Sequence, residues 1–451
     1  MPVEALQPQS PATLSELLTQ AESAEGNNDY MAAIERYSQL LIQTSSKSAD
    51  GPTREARLAA LGERGRLFTL LGEPEAALAG YEQYYGEAGS SKHAVDALVA
   101  IGNQCAYMNM TDRAIEAQRD ALRLAESLSY TSGRAMALGG IGLVYSLLDR
   151  SEEALSYLHR SLSLFEQIGD QTEQARSWNR IGVVHVHLGQ IEKAIKAFRN
   201  SSSMAYEVRE SAPIAMETAI ISLNNLGECY QNLFAMEQAL ASHQKGLAMS
   251  QNIGLPYLAA DLARNIGLDM SCLGRTDEGL RYLQHSLALS LATNQPDVEL
   301  QVLYSLGLVQ FQTGELAAAE QSATRLKSLA EESNNQGALA EALHVMGLCR
   351  QQVGDINSAQ GYWQQSLFLA HETGRGMLLW RLHAALAQIT SNPELASVHN
   401  RIAAEIIQQI AQPIEDESLR NSFLNAESVQ AVVASLADGG WGSTSEKKSP
   451  R

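Results

Sequence analysis

The residues able to do chemistry in this chain are dispersed, and their spacing argues for recognition over catalysis. Cys105, Cys229, Cys272 and Cys349 lie far apart with no C-x-x-C pair, which suggests neither a disulfide framework nor a zinc site. Each falls within an apolar helical stretch, so all four read as small core residues of a reducing compartment. His185 and His187 form an H-x-H, but on a helix their side chains stand about 200° apart and cannot share a metal. No nucleotide-binding glycine loop, H-E-x-x-H or G-x-S-x-G occurs. The acidic residues are scattered as on solvated helix faces. No catalytic residue, cofactor or metal ligand is expected. What remains is a central set of amide, carboxylate and guanidinium groups: Arg176, Asn179, His187, Asn224, Glu228, Asn232, Asp261 and Arg264. Asparagine both donates and accepts, which suits holding an extended peptide backbone without reading its side chains. Arginine adds bidentate recognition of a carboxylate.

Composition narrows the partner. Of 451 residues, 45% are hydrophobic, enough to bury an extended core. Lys and Arg total 33 against 51 Asp and Glu, for a net charge of −18. A chain so acidic lacks the basic stripe that phosphate backbones require, so nucleic acid is not an expected partner. The N-terminal stretch MPVEALQPQSPATLSELL has neither the basic start nor the apolar run of a secretory signal. No apolar run reaches membrane-spanning length. A cytoplasmic protein is expected.

The elements that must position the polar set are revealed by glycines. Gly65, Gly102, Gly142, Gly182, Gly227, Gly267, Gly307 and Gly347 recur in similar apolar contexts, and five of the seven intervals are 40 residues. Seven residues after each comes a turn-forming or small position (Gly72, Asn109, Asp149, Gly189, Gly274, Gly314, Gly354), with Phe234 as the exception. Twelve residues after each comes a small residue, from Ala77 to Ala359. Apolar residues between these landmarks keep helical spacing. The pattern predicts helix A, a short turn, helix B and a connector. Two antiparallel helices approach closely only where side chains are small, which explains the paired glycine and alanine. One pair cannot bury both faces, so pairs must stack.

Ser177–Phe198 (SWNRIGVVHVHLGQIEKAIKAF), with Trp178, Gly182, Gly189, Ala194 and Phe198, resembles the tetratricopeptide repeat family. The usual unit of that family is 34 residues. The longer unit here, as in NNLGECYQNLFAMEQALASHQKGLAMSQ, looks like the subclass of cell-polarity adaptors and kinesin light chains. The resemblance implies an all-α, right-handed superhelical solenoid of about nine to ten helix-turn-helix units. The expected organisation is a flexible N-terminus over 1–13, the solenoid over 14–390, C-terminal capping helices over 391–436 and a disordered tail over 437–451. Residues 45–55 read as a polar linker, and the connector near residues 200–216 reads as longer than the others. The C-terminal ending is similar to tails of bacterial tetratricopeptide signalling proteins.

In this family helix A lines the concave face. Residues six and three before each glycine, and one and five after it, share one arc of helix A. In the central units that arc carries the eight polar residues named above. On either side it carries apolar lanes, including Leu268, Leu308 and Leu348 beside Tyr304, Glu341 and His344. An inner solenoid face is solvated, and polar residues occur there on that account alone. The resemblance implies a non-enzymatic adaptor or scaffold that binds an extended peptide or helical segment of a protein partner in its groove. Two alternatives are a ligand- or peptide-responsive regulatory sensor of bacterial type, and an architectural subunit of a cytoskeletal or axonemal assembly.

Overall fold

Two seventeen-residue helices and two three-residue turns make up the forty-residue period, seen most regularly between Pro256 and Glu372. At a rise of about 1.5 Å per residue, each such helix is roughly 25 Å long. The computed structural model describes residues 13–27, 29–44, 51–210, 212 and 215–437. The expected N-terminal and C-terminal tails, and most of the polar linker at 45–55, lie outside the described residues. Twenty-two helices and no strand occur among the described residues.

The chain divides into two compact units, Met1–Val184 and His185–Arg451. The first holds α1 (Leu14–Gly26), α2 (Tyr30–Gln43), α3 (Gly51–Leu70), α4 (Pro74–Ala88) and α5 (Lys92–Tyr107). It continues with α6 (Thr111–Ser127), α7 (Thr131–Leu147), α8 (Ser151–Ile168) and α9 (Gln171–His187), whose last turn passes the division. The second holds α10 (Ile191–Glu207), α11 (Ala215–Asn232), α12 (Met236–Ile253), α13 (Pro256–Cys272) and α14 (Thr276–Ala292). There follow α15 (Pro296–Gln312), α16 (Leu316–Glu332), α17 (Gln336–Gln352), α18 (Ile356–Glu372) and α19 (Gly376–Ile389). The last three are α20 (Pro393–Ala411), α21 (Glu417–Leu424) and α22 (Glu427–Ala437).

Within each unit consecutive helices pack as antiparallel pairs, and each pair packs on the next. This is the all-α solenoid that the repeat implies. The pair α19 and α20 continues the stacking, and it spans the boundary expected at residue 390. Each core cluster is local. Leu300, Leu303, Leu326, Leu339 and Leu343, for example, seal α15, α16 and α17 to one another. That is how a stack buries apolar surface when no central core exists.

The repeated glycines have a specific partner. Sixteen residues after six of the eight lies a helix-B side chain that presses on the glycine itself. In the first unit Tyr81 meets Gly65, Gln118 meets Gly102 and Leu158 meets Gly142. In the second unit His243 meets Gly227, Leu283 meets Gly267 and Trp363 meets Gly347. A Cβ at Gly347 would fall inside the Trp363 indole, whose Nε1 donates to the His344 carbonyl at 3.1 Å. At Gly307 the corresponding residue is Ala323, which is too small to reach, and Val345 fills the gap. The alanines twelve residues on are completely buried, from Ala77 to Ala359. Serine nineteen residues after Gly142, Gly267 and Gly347 ties helix B back to helix A: Ser161, Ser286 and Ser366 donate to the carbonyls of Ala135, Ala260 and Ala340 at 2.6–2.7 Å.

The turn between paired helices requires a left-handed residue. Asn109 and Asp149 supply it with φ of 59° and 55°, and Gly274, Gly314 and Gly354 with φ near 80°. Phe234, the exception in residue type, takes the same conformation at φ 55°. For a bulky L-residue this costs on the order of 1 kcal/mol. Its ring lies 6.1 Å, centroid to centroid, from that of Phe423 in α21, which is fully buried. Close by in the sequence of α21, the Asp416 side chain caps the helix by accepting from the Leu419 amide at 3.1 Å. The backbone N–H groups of Glu415 and Asp416 donate to the Glu192 carboxylate on α10, at 2.5 and 3.1 Å. Burial works against the charge on Glu192. Lys196 and the two amides outweigh it and hold the carboxyl below its usual range. The closing helices therefore return to the start of the second unit as well as covering α19 through α20.

These contacts predict unequal consequences for equivalent substitutions. Gly347→Ala should destabilise the chain by about 2–3 kcal/mol through overpacking against Trp363. Gly307→Ala, opposite Ala323, should cost less than about 1 kcal/mol. Urea-unfolding midpoints of the two variants check this.

Candidate binding site in the second helical unit

The second unit contains a buried polar network that begins in its core. His243 on α12, seated against Gly227, is fully buried. Its Nδ1 lies 2.6 Å from Asp269 Oδ2, and its Nε2 lies 3.2 Å from the Asn224 carbonyl oxygen. Both ring nitrogens thus face acceptors. The other Asp269 oxygen accepts from Gln231 Nε2 at 2.7 Å. Asp269 and Asn265 are one turn apart on α13 and fully buried. Asn265 Nδ2 donates to Asn224 Oδ1 at 3.0 Å and to Glu228 Oε1 at 3.2 Å, while its own Oδ1 has no partner.

From this base the network reaches the inner surface. Asn224 Nδ2 donates to Asp261 Oδ2 at 2.8 Å. Arg264 Nε donates to Asp261 Oδ1 at 2.8 Å, and its Nη2 donates to Glu228 Oε1 at 3.0 Å. Arg264 is only 8% exposed. Burial opposes its charge, but Asp261 and Glu228 more than compensate and raise its pKa. Asn224, Glu228, Asp261 and Arg264 therefore form one connected constellation. Asn232 stands one turn beyond Glu228 on α11, half-buried.

Glu228, Asn232 and Arg264 open into a cavity of about 900 Å³ that lies wholly within the second unit. Its walls come from α11, α13, α15, α17 and α19 on one side and from α20 and α22 on the other. Leu268, Leu308 and Leu348 line it together with Tyr304, Glu341 and His344. Val432 and Ala431 of α22 face the same space. Phe234, held in its left-handed turn, lines it too.

The charged groups of the cavity are mostly paired. Arg375 is paired with Glu341. Burial lifts the Glu341 carboxyl above its usual range against the pull of Arg375 and Arg264. His344, whose Nδ1 lies 3.2 Å from the Tyr304 hydroxyl, is pushed down to about 3 by burial and by the nearby Arg381. It is neutral at pH 7. Burial also pushes the Tyr304 phenol up, with Glu341 adding to it. Arg381 stands over the Trp380 ring at 5.5 Å, and among the described residues no carboxylate pairs with it. Trp380 is 1% exposed and its indole N–H has no acceptor.

Other residues of the sequence-derived set lie elsewhere. Arg176 and Asn179 are on α9 in the first unit, where Arg176 pairs with Glu173 of its own helix at 2.5 Å. His187 is exposed at the last residue of α9. Cys105, Cys229 and Cys349 are buried as expected, but Cys272 is exposed. It is the last residue of α13 and lines the cavity, so its helical pattern did not place it in the core. The sequence reading missed His243 and Asp269; only His243, sixteen residues after Gly227, has an offset that could have found it. Arg375 and Trp380 carry no repeat signature, whereas Arg381 stands forty residues after Glu341, in register with the inner arc, in a unit where Ala387 replaces the motif glycine.

Family models described as tetratricopeptide repeat match residues 18–92 and 133–207. The chain is a tetratricopeptide-repeat protein. No curated protein sequence matches it. Among solved structures it is similar to a Rap protein complexed with competence and sporulation factor, at 14% identity and a TM-score of 0.59, over 79% of this chain and 99% of that one. It is also similar to the apo form of the quorum sensor NprR from B. thuringiensis, at 14% identity and a TM-score of 0.53, over 79% and 98%. A third is the Rap conjugation gene regulator of plasmid pLS20 in complex with the Phr* peptide, at 14% identity and a TM-score of 0.53, over 78% and 97%. At such identity these likenesses show the fold alone. No helix among the described residues is long and apolar enough to cross a membrane.

Two measurements test the network. Asp269→Ala strips His243 and Gln231 of their shared acceptor and should destabilise the chain by roughly 3 kcal/mol. A chemical-denaturation curve reads it. For His344 the folded pKa lies below the unfolded one, so the unfolded chain binds more protons between about pH 3 and 6.5. Stability is full above that window and falls with acidification by up to about 1.4 kcal/mol per pH unit. His344→Leu should flatten this slope in thermal melts taken from pH 7 to pH 4.

Proposed function

We propose that the protein is an interaction module that binds an extended peptide or protein segment along the inner surface of its second unit. The observation that carries this reading is the cavity of about 900 Å³ lined by Glu228, Asn232 and Arg264 together with Leu268, Leu308 and Leu348. A cavity of that size, in which apolar walls meet convergent polar groups, has the character of a binding pocket. The buried network fixes those polar groups before any ligand arrives, which lowers the entropy lost on binding. Asn224 and Asp261 act from behind by holding Arg264. The reading rests on second-unit residues alone. Residues 14–390 serve as the scaffold and 391–436 as its closing helices, and the module works in the cytoplasm without catalysing a reaction.

A second reading, a ligand-responsive regulatory sensor, is favoured by the place of α22. A helix that forms one wall of the cavity must adjust when the cavity fills. Two of the similar solved structures are complexes, one with competence and sporulation factor and one with the Phr* peptide, and a third is described as a quorum sensor. Both readings share the same cavity and differ in what binding does.

The test is selection of a displayed library of random linear peptides on the full chain. Enriched peptides should lose roughly tenfold in affinity, about 1.4 kcal/mol, with Asn232→Ala or Gln301→Ala. Both positions line the cavity without a role in the buried network, so thermal melts should hardly move. Undiminished binding by both variants would sink the reading. Hydrogen exchange in α22 separates its two forms: a change on peptide binding marks the sensor, and no change marks the adaptor.

A further inference from the structure

Among the described residues, Arg381 is the one cavity arginine with no carboxylate within salt-bridge distance. Arg264 has Asp261 and Glu228, and Arg375 has Glu341. Arg381 has the face of Trp380 and the Tyr304 phenol. The groups its charge reaches, His344, Tyr304 and the Cys272 thiol, are neutral at pH 7, the first because burial lowers its pKa and the other two because theirs are raised. Beside it the Trp380 indole N–H lacks an acceptor although Trp380 is almost completely buried. A guanidinium without a carboxylate partner, on the wall of a cavity that also presents Leu268, Leu308, Leu348 and Val432, defines a half-finished recognition site.

We infer that this end of the cavity binds a monoanionic carboxylate carried on an apolar body, with the carboxylate on Arg381 and the apolar part against the leucines and α22. A guanidinium offers two parallel N–H donors that match the two oxygens of a carboxylate. One uncompensated positive charge, with Glu228 and Glu341 already in the same cavity, suits a single negative charge. A phosphate dianion would bring an excess charge into the neighbourhood of those carboxylates. Aliphatic walls reward an apolar body in proportion to the area they cover. The carboxylate can come from a free amphipathic acid or from an acidic group of a bound peptide. The inference rests on the preceding reading for the cavity being a binding site, and adds the chemistry that its ligand must carry.

The probes are octanoate, octanol and octyl phosphate, applied to the full chain. Cys272 lines the cavity and is exposed, while the other three cysteines are buried and serve as internal references. Octanoate should slow alkylation of Cys272 by iodoacetamide, mapped by mass spectrometry, and should give a binding isotherm by calorimetry. Octanol and octyl phosphate should do so roughly tenfold less well, the share expected of one charge-assisted pair. Arg381→Gln should remove the protection by octanoate, and Arg381→Lys should restore part of it. Protection by octanol equal to that by octanoate, or protection that survives Arg381→Gln, overturns the inference. Library-selected peptides give the second arm. If their acidic residues are required and Arg381→Gln weakens them, the carboxylate belongs to a peptide. Peptides that bind the cavity but ignore both Arg381→Gln and octanoate, with octanoate itself unprotective, overturn this inference and leave the preceding reading standing. Octanoate protection without any peptide binding does the reverse.

Discussion

Everything in this chain depends on how closely helix B can approach helix A at one residue per repeat. The glycine there is an absence of side chain into which the residue sixteen positions on is pressed. Where that residue is Leu158, Leu283 or Trp363, the contact is ordinary core packing. Where it is His243, the same contact delivers an imidazole into the interior, where it must find acceptors. It finds Asp269 and the Asn224 carbonyl, and through them it fixes the polar residues of the inner face. The candidate site is thus a variation played on the packing rule of the repeat. Gln118 in the first unit shows the same rule with another polar residue: its Nε2 donates to the Val99 carbonyl and to Asn103.

The sequence was most legible where geometry repeats. Glycine spacing located the helix pairs, the buried alanines and the left-handed turns, because a forty-residue period multiplies a weak local signal eight times. It also located the inner arc, since helical angles from a fixed glycine put Leu268, Leu308 and Leu348 on the same side as Tyr304, Glu341 and His344. Legibility failed where the repeat stopped supplying a reference. Trp380 and Arg381 on α19 follow the last motif glycine, and with Ala387 in the place of the next one the forty-residue register that puts Arg381 in line with Glu341 goes unmarked. Cys272 was placed with its apolar neighbours, although it stands five residues after Gly267, on the arc that carries Leu268, and it lines the cavity. The return of residues 415–423 joins positions 223 residues apart at α10 and 189 apart at the turn before α12. No periodicity encodes such a contact.

Phe234 shows local and long-range demands in conflict. The turn favours glycine or asparagine, and seven sister positions that follow it supply small or polar residues. A phenylalanine there is tolerated because its ring packs with Phe423 and borders the cavity. Backbone strain of this kind persists where surrounding contacts over-determine it, and it gathers at working sites. The residue that breaks the sequence pattern is therefore the one that marks where the closing helices meet the repeats.

That meeting changes what kind of object the second unit is. An open stack of repeats gains or loses stability one nearest neighbour at a time, and its ends fray independently. The amides at 415 and 416, bound to Glu192, tie the tail of the unit to its first helix. A chain closed in this way carries the entropy cost of closing a loop that spans the whole unit, which its most distant contact has to offset. Its repeats cannot be trimmed from the C-terminus without releasing α10 as well. The tie turns a modular array into a single cooperative piece, with a clasp at one point of its circumference.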